Sequence, residues 1–108
     1  MYARVTTIQI QKGREEELLE VLKETAIPLV EHQPGFCGYL RLTDSKTGKA
    51  MTITLWESED AVQASSAHIS EIRAITGPFY VMPPFQEVFE VSLQVSADGT
   101  IVGAPSSA

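Results

Sequence analysis

Few side chains in this 108-residue chain can move a proton near neutrality, and two of them are the histidines His32 and His68. Free imidazole titrates near ~6.5, which suits a general base. His68 shares its helical arc with Ala61, Ala64 and Ser65, small side chains that leave room beside an imidazole for a substrate. We read His68 as the candidate catalytic base; the plain alternative is a core histidine satisfied by one hydrogen bond. His32 falls at the end of the first helical pattern, where unpaired carbonyls and the helix dipole give it a simpler role. Trp56 could floor an aromatic pocket and donate its indole N–H to a ligand oxygen, with core or interface packing as the competing role. Tyr39, Tyr80 and Arg73 are candidate substrate-binding residues able to hydrogen-bond an oxyanion. Tyr39 also fits an interface tyrosine, and Arg73 could merely neutralise nearby acids. Cys37 reads as a small buried hydrophobe and the acidic run from Glu15 to Glu20 as a solvated helix face. With no HxxxH spacing and no clustered carboxylates, no metal site is expected.

The elements that position these residues follow from periodicity. Tyr2 to Gln11 is rich in β-branched residues and is stopped by Lys12-Gly13, which predicts a first strand. From Arg14 the period changes to that of a helix. Leu18, Leu19, Leu22, Ala26, Leu29 and Val30 fall in one arc and acids opposite, with Pro28 bending the helix late and Pro34-Gly35 ending it. Phe36 to Thr43 and Ala50 to Trp56 alternate and flank the turn residues Asp44 to Gly48, a hairpin. Ser58 is the expected N-cap of a second helix which, run unbroken to Ile75, places His68 in the middle of its inward arc. Gly77-Pro78 ends it, Phe85 to Val95 is a long last strand, and Ala97 to Thr100 can turn a short hairpin into Ile101-Val102. Gly103 to Ala108 is expected to fray.

The order is β-α-β-β-α-β, an α+β ferredoxin-like split arrangement. It predicts a four-stranded antiparallel sheet with two helices on one face. The strands look apolar on both sides, and a bare second face would be sticky; a homodimer pressing two sheets together into a dimeric α+β barrel resolves this. Residues 1–96 form the expected domain and 97–108 a hairpin or flexible tail.

Charge narrows the partners. Lys and Arg number 8 against 14 Asp and Glu, a net charge of −6. The acid excess lies after residue 49, where Arg73 is the lone basic residue. No basic cluster exists to anchor nucleic acid or an anionic membrane. No stretch approaches the ~20 apolar residues of a membrane span, and a lone cysteine cannot close an intrachain disulfide, so a reducing, cytoplasmic setting is expected.

Gln33-Pro34-Gly35-Phe36 after the first helix, Thr47-Gly48 in the hairpin and Ile53-Thr54-Leu55-Trp56-Glu57-Ser58 leading into the second helix resemble the antibiotic biosynthesis monooxygenase-like family. The resemblance covers residues 2 to about 95 and implies a dimeric α+β barrel. It further implies oxidation of a reduced aromatic or quinol-type small molecule with no flavin or metal cofactor. In that chemistry an acidic C–H or phenol loses a proton, the anion passes an electron to O₂, and the resulting peroxide collapses to a quinone and water. The protein supplies an apolar slot, a base, and donors to the developing anion. A haem-degrading branch of the family carries an iron-binding histidine where this chain reads Ala74-Ile75-Thr76, so haem ligation there is not expected. The rival class is a non-catalytic dimeric ligand-binding or interaction module of the same fold.

Overall fold

The computed structural model describes residues 1–103. β1 (Tyr2–Gln9) leads through the Lys12-Gly13 break into α1 (Glu15–Val21), whose first turn holds Glu15, Glu16 and Glu17 against the exposed N–H groups of the helix start. The helix then widens into a π-helical stretch over Leu22–Ala26 before resuming as α2 (Ile27–Glu31). Pro28 explains the change. It cannot donate to the carbonyl one turn back and its ring crowds that carbonyl, so the register shifts ahead of it and Pro28 sits in the first turn of α2. Leu18, Leu22, Ala26 and Val30 are buried as a stripe at four-residue spacing.

β2 (Phe36–Asp44) and β3 (Lys49–Trp56) form the expected hairpin. Phe36 faces Trp56 while Gly38 faces Leu55, so Cys37 is the extra residue of a bulge. That corrects the expectation of a buried cysteine: Cys37 is exposed, because the bulge leaves it unpaired. The bulge also brings Phe36 and Tyr39, three positions apart, to the same face of the sheet.

α3 (Glu59–Ser65) is capped by Ser58, whose hydroxyl accepts from the Ala61 N–H at 3.1 Å. The unbroken second helix is the main correction. A 3₁₀ turn at Ser66–His68 separates α3 from α4 (Ile69–Thr76), and a second 3₁₀ turn follows at Gly77–Phe79. Ser65 and Ser66 hydroxyls contact the Val62 carbonyl from within their own helix, a bond that competes with the α-helical ladder and bends it. The last strand is also shorter than expected. β4 (Phe85–Glu90) stops before Val91-Ser92, and β5 (Leu93–Val95) turns back as a separate hairpin with β6 (Ile101–Gly103). Gly103 thus closes a strand, and the fraying expected beyond it falls on residues 104–108, outside the described residues.

The sheet order is β2-β3-β1-β4, all antiparallel, with the helices on one face. This is the α+β ferredoxin-like fold the sequence implied. Two packed groups join helices to sheet: Ile10, Leu18, Leu22 and Phe79 at one end, and Val30, Trp56 and Val62 at the other. The opposite sheet face carries Val5, Leu40, Leu42, Ile53, Phe85 and Phe89, with Leu40 53% and Phe85 62% exposed. Among the described residues no helix is long and apolar enough to cross a membrane.

Candidate functional site

A cavity of about 90 Å³ lies between the helices and the covered face of the sheet. Strand alternation builds its floor: Arg4, Thr6 and Ile8 from β1 face the same way as Thr52, Thr54 and Trp56 from β3, with Arg4 opposite Thr54 and Thr6 opposite Thr52. Tyr39 and Arg41 extend that floor from β2. Leu22, Ala26 and Val30 form the wall from the first helix, and Ser65, Ile72 and Arg73 the wall from the second. Tyr80 and Pro84, in the connection to β4, close one end. A larger depression of about 520 Å³ beside Lys12, Lys46 and Gly48 mixes both charge signs and contains no aromatic ring.

The structure brings four of the five sequence-chosen residues to this cavity: Trp56, Tyr39, Tyr80 and Arg73. Trp56 is 1% exposed, and its ring meets Phe36 edge to face at 5.7 Å between centroids. Its indole N–H donates to Thr54 Oγ1 at 2.9 Å and is not free for a ligand. Burial raises the Tyr80 phenol above its ordinary value, against smaller opposing effects of a hydrogen bond with Thr76 and of Arg41. Arg73 is exposed and stands at the rim.

His68 is the fifth, and it is not among the lining residues. The 3₁₀ turn ending at His68 alters the angular step on which its inward placement depended. Its side chain is 43% exposed, with Nδ1 3.6 Å from Glu71 Oε1. His32 behaves as its position implied: Nδ1–H donates to the Pro28 carbonyl at 2.6 Å, capping the helix end.

Two arginines went unchosen in the sequence. Arg41 has only 7% of its side chain exposed and is held by a two-pronged pair with Glu15, Nε to Oε1 at 3.1 Å and Nη2 to Oε2 at 3.2 Å. Arg4 is buried and donates to Ser65 Oγ at 2.8 Å, the Val62 carbonyl at 2.8 Å and Ser66 Oγ at 3.0 Å. Among the described residues no carboxylate pairs with it, and burial lowers its pKa from the usual arginine value. The signal was period two: Arg4 alternates with Ala3 and Val5 and must share a face with Thr6 and Ile8. No Asp, Glu, His or Cys lines the cavity, while three arginines do. Such a site, aliphatic along its helical walls and positively charged along its floor and rim, can stabilise negative oxygen.

Known proteins resemble the chain in sequence and in fold. An uncharacterised protein of Mycobacterium tuberculosis strain H37Rv is 27% identical over an alignment covering 96% of this chain and 48% of the relative. The chain therefore spans about half the length of the curated relatives it matches. The structure of a variant of SnoaB, a cofactor-independent oxygenase from Streptomyces nogalater, superposes with a TM-score of 0.68 at 19% identity, covering 83% of this chain and 91% of that one. The ActVA-Orf6 monooxygenase of Streptomyces coelicolor, solved with the ligand Nanaomycin D, also gives 0.68 at 19% identity, over 82% and 84% of the two chains. At these identities the likeness is one of fold. A family model is more specific: that for antibiotic biosynthesis monooxygenases matches residues 1–76, and the chain belongs to the antibiotic biosynthesis monooxygenase family.

Proposed function

We propose that this chain is a cofactor-independent oxygenase that takes a reduced aromatic or quinol-type small molecule into the cavity floored by Trp56. The observation that carries this reading is the composition of that cavity: Trp56 in its floor, aliphatic walls, and Tyr39, Tyr80 and Arg73 as donors toward an oxyanion. Its volume is below the roughly 150 Å³ that accepts benzene in an engineered apolar cavity, so a polycyclic ligand requires the site to widen. Tyr80 and Pro84, which close one end, are joined by Val81 to Pro83, a stretch outside regular helix and strand, and widening is expected there.

The working form in this reading is a cytoplasmic homodimer, with the domain of residues 1–96 as the functional unit. The uncovered sheet face supports it, since Leu40, Leu42, Phe85 and Phe89 form an apolar surface of the kind that a second copy buries. Aerobic incubation with a panel of anthrones and hydroquinones tests the oxygenase: oxygen uptake above the protein-free rate is expected, with an anthrone giving quinone and water and a hydroquinone giving hydroxyquinone and water. Uptake at the protein-free rate across the panel, with ligands nevertheless bound, would favour the second reading, a binding module without turnover. The observation favouring that second reading is the absence of any imidazole or carboxylate along the cavity wall.

A further inference from the structure

The β5–β6 hairpin is well formed and yet unsupported. Its turn is closed by the Ser96 N–H donating to the Thr100 carbonyl at 2.8 Å, the Gly99 N–H to the Ser96 carbonyl at 2.8 Å, and the Thr100 N–H to Asp98 Oδ1 at 2.9 Å. The hairpin is nevertheless no part of the four-stranded sheet, and none of its residues joins either packed group. No helix or other strand packs broadly against it among the described residues. Two strands by themselves are marginal in water, so this pair needs a surface to lie on. Register shows what kind of surface. Val95 faces Ile101 and Leu93 lies two positions along, so the three aliphatic side chains share one face. Leu93, Val95 and Ile101 are 63%, 60% and 66% exposed. The hairpin's single charge is Asp98, whose carboxylate is engaged in its own turn, so what the hairpin fits is an apolar face.

We propose that the hairpin is an arm that crosses to a second copy of the chain and lays Leu93, Val95 and Ile101 on Leu40 and Leu42 of that copy's open sheet face. This rests on the homodimer reading and carries it past residue 96. Area decides the occupant. Four strands about 4.8 Å apart and about eight residues long at ~3.3 Å each offer roughly 500 Å² of face per copy, or about 1,000 Å² for a pair. Stable specific interfaces bury about 1,200–2,000 Å². Two sheets pressed together fall short of that, and two exchanged arms supply the remainder from surface that is already apolar. Charge decides the landing place. Glu87, opposite Val5, charges the β4 side of the open face, whereas Leu40 and Leu42 on β2 are 53% and 46% exposed and aliphatic. The chain cannot serve itself there. Leu93 is three residues from Glu90, the end of β4, a reach of at most about 11 Å, while β2 stands three strands away at about 14 Å.

Cross-linking and sedimentation test the arm on the full chain. For cross-linking, Cys37→Ser removes the one native thiol, which is exposed, and Leu42→Cys and Val95→Cys are then introduced singly and together. Under mild oxidation the double variant is expected to run as a covalent dimer on a non-reducing gel. A mixture of the two single variants should give more covalent dimer than either alone. A double variant that consumes its thiols yet runs as a monomer places the arm on its own sheet, and one with no dimer beyond the single variants places it on neither copy; each result overturns the proposal. Sedimentation velocity across a dilution series supplies the second measurement. Val95→Asp, which sets a charge in the apolar contact, should weaken self-association about tenfold or more, and Gln94→Ser, on the opposite face of the arm, should leave it unchanged. Wild-type association in Val95→Asp overturns the arm and leaves the homodimer standing. A wild type that stays monomeric at every concentration removes both.

Discussion

Removing the hydroxyl of Thr54 should be expensive for a reason that lies in its neighbour. The Trp56 indole N–H is buried and donates to Thr54 Oγ1 at 2.9 Å, both residues being on the covered face of β3. Thr54→Val keeps the shape and the strand preference but orphans that N–H, which costs about 1–3 kcal/mol, whereas the net worth of the bond itself is nearer 1 kcal/mol. Trp56→Phe removes the donor together with the pyrrole ring but keeps a six-membered aromatic ring, so its cost should fall well below the ~3–5 kcal/mol of a full truncation to Ala. In the Trp56→Phe background nothing is orphaned by Thr54→Val, and the second substitution should be close to neutral. The cycle therefore predicts a coupling of about 1–2 kcal/mol, which for a domain of this size moves the thermal midpoint by about 4–16 °C. Urea unfolding followed by far-ultraviolet circular dichroism measures it, since fluorescence is lost in two of the four proteins. A Thr54→Val effect equal in both backgrounds to within about 0.5 kcal/mol would refute the argument, and with it the claim that Trp56 has no N–H to give a ligand.

Other perturbations probe separate parts of the molecule. His68→Ala should leave both oxygen uptake and the melting temperature unchanged, because the side chain stands off the cavity; a large loss of uptake would restore it as the base. Leu40→Glu, on the uncovered face opposite Ile53, should shift a dimer to monomers in sedimentation velocity by weakening association about 100-fold or more, while a sedimentation profile like wild type's would count against that interface. Tyr80 has its pKa raised by burial, so its contribution to stability is intact below the unfolded tyrosine value near ~10 and is lost as pH rises through the higher folded value. Tyr80→Phe should flatten that alkaline decline in urea titrations, and an unchanged slope would contradict it. Gly35→Ala should destabilise by about 3 kcal/mol in thermal melts: Gly35 has φ +83°, and an added Cβ would lie 2.6 Å from the Ala61 Cβ.

The strands were legible because alternation is local, and the four-strand order followed from the sequence of elements. What misled was anything depending on an unbroken helical step. Pro28 announced its disturbance, yet the second helix has no proline before Pro78, and its 3₁₀ turn lies beside the Val62 carbonyl, which accepts from the Ser65 and Ser66 hydroxyls and from Arg4, 58 positions away in sequence. A long-range bond of that kind leaves no mark in a helical wheel. His68 was consequently placed inside, and Arg4 was overlooked as an ordinary strand residue. Trp56, Tyr39, Tyr80 and Arg73 reached the cavity because the first two sit on alternating strands and the others at the end of α4 and just beyond it, where an angular error in the helix does less harm.

The two sides of β1 and β3 serve different purposes one atom layer apart. Inserting or deleting a single residue within either strand would invert everything beyond it, turning Thr52, Thr54 or Trp56 outward and delivering Met51, Ile53 and Leu55 into the cavity. Natural length variation should therefore collect at Asp44–Gly48 and after Glu90, and any change inside the two central strands should come in multiples of two or be absorbed by a bulge such as the one at Cys37.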